Sequence, residues 1–103
     1  MENLHATSST DSSRLISTIP VTSAHPFITI DDHTLFSVNA GVPVTLALEQ
    51  VSTLLECIKS VVISRAITDP DTEAAAVQFL AEMAQGLVDA GHEGLCALER
   101  EGR

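Results

Sequence analysis

The pair of residues with the most recognisable chemical spacing in this chain is His92 and Cys96, in "GHEGLC". At i and i+4 they share one face of a helix, and an imidazole with a thiolate at that spacing can supply two ligands of a tetrahedral zinc site. A structural site takes four ligands. Glu93 lies round the helix from the pair, and His5, His25 and His33 fall in tail or turn, so nothing completes the set. The residues therefore read as a half-buried thiol beside a surface imidazole, with no metal. Cys57 has apolar helical neighbours, where a thiol behaves as a small hydrophobe, and no histidine stands at helical spacing from it. Asp31, Asp32 and His33 are adjacent and polar, but aspartates in a turn commonly bond the local backbone. "NAGVP", Asn39 to Pro43, puts a glycine ahead of a helix as phosphate loops do. Such loops carry several glycines or a following lysine. Here Gly41 stands alone, and no basic residue lies between Arg14 and Lys59. Gly41 then serves a backbone conformation other residues resist, and Pro43 starts a helix. No catalytic set emerges, and the expectation is a protein that is not an enzyme and uses no cofactor.

The elements that would position these residues are few. At 103 residues the chain is one domain at most. Residues 1–25 are rich in Ser and Thr and poor in periodicity, which predicts a flexible tail that buries too little apolar surface to offset its conformational entropy. Within it "RLISTIPV", Arg14 to Val21, is the aliphatic exception. Residues 26–103 form the folded part. "FITIDDHTLFSV", Phe27 to Val38, has two β-branched or aromatic runs around Asp31 to Thr34, a pattern that predicts a β-hairpin. A lone hairpin is marginal in water, so it must rest on helices or on another chain.

From Pro43 onward Val44, Leu48, Val51, Leu55, Ile58 and Val62 step by four and three, with Ala47, Leu54 and Val61 as a further row. That spacing predicts a helix with a broad apolar face. "TDPDTE", Thr68 to Glu73, ends it and starts a second helix, with Asp69 as N-cap and Pro70 in the first position. Val77, Leu80, Ala84 and Leu87, widened by Ala76, Phe79, Met83 and Ala90, carry the second helix toward Leu98. Gly86, Gly91 and Gly94 each weaken a helix by about 1 kcal/mol relative to Ala, which predicts a kink or an early end beyond Gly91. A connection of two or three residues makes the helices antiparallel. Cys96 then lies roughly 24 Å along from the level of Cys57, at about 1.5 Å per residue. A disulfide needs Cα atoms within about 7 Å, so the expectation is two thiols.

The formal charge of -9 opposes nucleic-acid binding, which needs a basic face, and opposes docking to an anionic membrane. No apolar run reaches the roughly 18 residues of a membrane span. The N-terminus has neither a basic region nor a continuous apolar core of a signal peptide, and a cytoplasmic location is expected.

Both helices carry more apolar surface than two facing helices can cover, and no third long helix is present to cover it. Contiguous apolar patches above a few hundred Å² are rare on soluble monomers. The expected solution is a homodimer in which two antiparallel helical hairpins make a four-helix bundle. Leu48, Val51, Leu55, Ile58, Val62, Leu80, Met83 and Leu87 are the expected interface residues.

Phe36, Val38, Gly41 and Val42, then Ala47-Leu48-Glu49 and Leu54-Leu55, then Leu80, Met83-Ala84 and Leu87 resemble a family of short bacterial proteins of unknown function. The resemblance covers Leu35 to Ala90. It implies a strand, a Gly-Val turn and a helical hairpin in a bacterial cytoplasmic setting, and it brings no catalytic or binding residues. The fold expected is mainly α with a small β-hairpin. The function expected is a non-enzymatic protein-interaction or regulatory module, with itself and another protein as partners. The alternatives are a secretion-chaperone-like holdase gripping an extended client, or a small-ligand or metal-binding helical bundle.

Overall fold

The computed structural model describes residues 19–102, and the expected tail up to residue 18 lies outside them. Two strands and two helices follow in order: β1 (His25–Ile30), β2 (His33–Val38), α1 (Val44–Ser64) and α2 (Pro70–Glu101). α2 is the spine. α1 lies along it, and the β-hairpin rests on it through both strands.

The hairpin pairs antiparallel, with Phe27 opposite Phe36 and Thr29 opposite Thr34. Its loop is shorter than the sequence pattern suggests, because His33 and Thr34 already belong to β2. Asp31 and Asp32 have φ of 51° and 67°, as the two-residue turns that match strand twist require, and Asp tolerates that region. Phe27 and Phe36 stack at 5.9 Å between ring centroids. Ile28 carries a φ of 52°, costly for a β-branched residue. The turn lets consecutive side chains serve the same helix: Phe27 lies on Gly86, and Ile28 joins Phe36, Phe79 and Met83 in one cluster.

α1 begins one residue later than expected, with Pro43 as its cap and no side-chain bond there. The missing partner comes from upstream, where the Val44 N–H donates to the Pro20 carbonyl at 3.0 Å. Residues 20–23 form a strap. Thr22 N–H donates to the Val42 carbonyl and Gly41 N–H to the Thr22 carbonyl, while Ser23 N–H donates to the Ala90 carbonyl of α2. Thr22 is the one buried polar residue among those described. The sequence boundary at residue 25 is thereby corrected: residues 20–23 belong to the folded part, because backbone bonds rather than apolar side chains hold them. Gly41 takes the expected left-handed conformation, at φ 83°.

α1 closes on Arg65 in the left-handed conformation. Five residues, not two or three, then lead to Pro70, and the helices still run antiparallel. Asp69 caps α2, accepting from Thr72 N–H at 3.1 Å and from Thr72 Oγ1 at 2.6 Å. The Thr72 hydroxyl bond, then the backbone bond, holds its carboxyl below the ordinary 3.8. A depressed folded-state pKa contributes stability above the ordinary value, and that contribution is lost as pH falls through the lower folded value. Asp69→Ala is expected to lower the melting temperature by a few degrees at neutral pH. In a pH series the gap to wild type should narrow below 3.8; a gap constant down to pH 2 would remove the charge part of the argument.

α2 does not stop at Gly91. It runs for 32 residues to Glu101, about 48 Å. Its glycines are contact positions: Gly86 faces Phe27, Gly91 faces Val44, and Gly94 lies under Val21 and Thr22. Packing gained at those sites offsets the propensity lost. The buried core is correspondingly small-grained, being Val44, Ala47, Ala84 and Ala90 with Gly86, Gly91 and Gly94, and no large side chain among the described residues is fully enclosed.

Candidate interaction surface

The chemically suggestive residues stay apart. His92 Nε2 and Cys96 Sγ stand 3.6 Å apart on α2, as their spacing requires. Among the described residues, no group of three or more His, Cys, Asp or Glu side chains is placed to share a metal. Both cysteines are thiols, and Cys57 is exposed on α1 rather than tucked among apolar neighbours. His25, expected in the tail, instead fastens β1 to α2. Its Nδ1 lies 2.9 Å from Glu93 Oε1 and its Nε2 3.6 Å from Asp89 Oδ2. Nothing local in the sequence announces a contact that spans 68 positions.

The expected interface residues divide into two groups. Val51, Ile58, Leu80 and Leu87 are half-buried, whereas Leu48, Leu55, Val62 and Met83 are exposed. The reason is a shift of one position. α1 turns the row Val44, Ala47, Val51, Leu54, Ile58 and Val61 toward α2, all buried or half-buried. The small Ala47 and Val44 allow close approach at the level of Gly91, and the row of Leu48, Leu55 and Val62 is left outside.

Two apolar surfaces result. One is a groove of about 390 Å³ between β2 and α1, with Phe27, Val38, Val42 and Leu54 on its walls and Met83 and Leu87 on α2. The hairpin beside it exposes Ile30, Leu35 and Phe36. The other is the open side of the α1–α2 layer, where Leu48, Leu55 and Val62 are each about half exposed and Val88 and Leu95 about two-fifths. No helix among the described residues is long and apolar enough to cross a membrane.

Comparison with curated proteins and with solved structures gives no match. A family match spans residues 14–94, which takes in the strap, the hairpin, α1 and α2 as far as the glycine that the strap passes over. With most of its length inside that match, the chain belongs to the family described as "Protein of unknown function (DUF3077)".

Proposed function

We propose that this chain is a non-enzymatic interaction module of the bacterial cytoplasm, acting as a small acidic homodimer that binds or regulates another protein. One observation carries the reading: among the described residues the buried apolar ones are a valine and three alanines, while thirteen large apolar side chains are exposed. Burial of apolar area is the main stabilising force in folding, and a chain that hides so little of it needs a second surface. The two apolar surfaces divide naturally, one for self-association and one for a client. Sedimentation equilibrium at micromolar concentration tests this. The expected mass is about 22 kDa, twice the chain's 10.9 kDa, and a monomeric mass removes the reading.

The groove supports a second reading, a holdase that keeps an extended client segment against β2. Its length of exposed apolar wall beside β2, an edge strand of a two-stranded sheet, is the observation in favour. Suppressed aggregation of a reduced model protein by wild type, and its loss in Met83→Asp, is the outcome this reading expects; equal suppression by both rejects it.

A further inference from the structure

Each exposed residue of the open row follows directly on a residue of the α1–α2 seam. Leu48 follows Ala47, Leu55 follows Leu54, and Val62 follows Val61. The same holds on α2, where Ala81 follows Leu80 and Val88 follows Leu87; Leu95 continues the row one heptad on, beside the Gly94 that the strap covers. One position along an α-helix is a turn of about 100°. Because the helices are antiparallel and face each other, that turn brings both rows to the same side of the layer. The hairpin covers the other side, where Phe27 meets Gly86 and Ile28 meets Phe79. The open face therefore carries two apolar rows with a strict seven-residue repeat, one on each helix. Such rows are the seams of helical bundles.

Resting on the reading of the chain as a homodimer, we propose that this face, and not the hairpin side, is where the second copy docks. Charge favours a second copy over a different protein. The chain carries -9, yet where the helices lie side by side the flanks of the two rows are Ser52, Lys59 and Gln85. Glu49, Glu56, Glu82 and Asp89 lie further round their helices, and Glu73, at the end of the seam, is half-buried in a cleft it shares with Arg65. Two copies meeting here bring few carboxylates together, whereas like charges juxtaposed elsewhere would oppose association. A basic partner would find little on this face to recognise.

Size agrees. α1 has 21 residues, so the face is about 31 Å long and, at two helix widths, roughly 20 Å across. That gives roughly 600 Å² per copy and 1,200 Å² for the pair, at the lower edge of standard interfaces. The rows are also graded, with Leu55 level with Ala81 and Val62 level with Ala74. Laying α1 of one copy on α2 of the other seats large side chains over small ones, the arrangement that fills a bundle core.

The test compares masses of the full chain by sedimentation, with helix content followed by circular dichroism. Leu55→Glu and Val88→Glu are each expected to halve the mass to 10.9 kDa with helix content kept, since both sites are exposed in the single chain. Phe36→Ser, on the hairpin, should leave a dimer. A dimeric wild type whose mass Leu55→Glu and Val88→Glu leave unchanged overturns the face but not the homodimer. A monomeric wild type overturns both. Should either variant lose helix content, thiol labelling of Leu55→Cys in a Cys57→Ser, Cys96→Ser background decides the matter. Its labelling should slow as chain concentration rises, while that of native Cys57, about 200° round the helix from Leu55, should not. Labelling at position 55 that ignores concentration in a dimeric sample counts against the proposal.

Discussion

Gly94→Ala is expected to destabilise the chain by about 3 kcal/mol, the upper end of what an added methyl does in a closed site. A Cβ at position 94 would fall on the carbonyl oxygen of Val21, with the Thr22 Cα 3.1 Å away. These are backbone atoms, which cannot rotate aside as a side chain can. The strap must lift, and with it go the bond from Ser23 to Ala90 and the Pro20 carbonyl that caps α1. Two neighbouring glycines supply the controls. At Gly91 the added carbon would meet Val44 Cγ1 at 3.6 Å, ordinary contact, so Gly91→Ala should keep much of the roughly 1 kcal/mol of helix propensity that Ala gains over Gly. At Gly86 it would meet Phe27 Cδ1 at 3.0 Å; the ring and hairpin must yield slightly, and the effect falls between the other two. Urea midpoints at one chain concentration should rank Gly91→Ala at or above wild type, then Gly86→Ala, then Gly94→Ala. Hydrogen exchange adds a signature that plain helix weakening lacks, since the amides of Thr22, Gly41 and Val44 should lose protection together. Equal midpoints for the variants at 91 and 94 would mean that the strap does not sit where α2 is bare.

What the sequence discloses follows from the range of each interaction. Helix periodicity is local, so both helices and the Asp69 cap are legible from spacing alone. The hairpin is legible too, apart from the exact turn, because strand propensity and aspartates cluster within a dozen residues. The seam of the helix pair is not. Leu48, Leu55 and Val62 are as apolar as Ala47, Leu54 and Val61, one position away, and periodicity has no means of choosing between them. The choice falls to close approach at Ala47, Val44 and Gly91, a property of two helices at once. The strap is hidden for the opposite reason. Its side chains resemble those of a solvated tail, and its hold is hydrogen bonding through its backbone and the Thr22 hydroxyl. The trace it leaves lies elsewhere, in glycines at 86, 91 and 94 that α2 has no local use for. They are contact sites rather than weak points: Gly86 and Gly91 receive the side chains of Phe27 and Val44, and Gly94 receives the strap's backbone.

Thr22→Val should cost about 2–3 kcal/mol, through polar groups rather than packing. The Thr22 hydroxyl donates to the Asn39 carbonyl at 2.6 Å and accepts from the Val42 N–H at 3.1 Å. Valine has nearly the same shape, so the buried site stays filled, but one donor and one acceptor lose their partner, each worth about 1–3 kcal/mol when left unmet. Thr22→Ser keeps both bonds and loses only a methyl group, about 0.8 kcal/mol. The two variants thus separate hydrogen bonding from volume: the denaturation midpoint of Thr22→Val should lie well below that of Thr22→Ser, and the reverse order would assign the site to packing. The damage should also be directional. The backbone bonds of Thr22 to Val42 and Gly41 do not involve the hydroxyl, so the strap stays in place while the 39–42 turn loosens. Asn39 and Val42 line the groove beside β2, whereas Leu55 and Val88 lie on the far side of the layer. Thr22→Val is therefore expected to weaken anything that fills the groove and to leave the sedimentation mass unchanged. Loss of the dimer in this variant would mean that the two apolar surfaces are not independent, and that the second copy reaches the hairpin side.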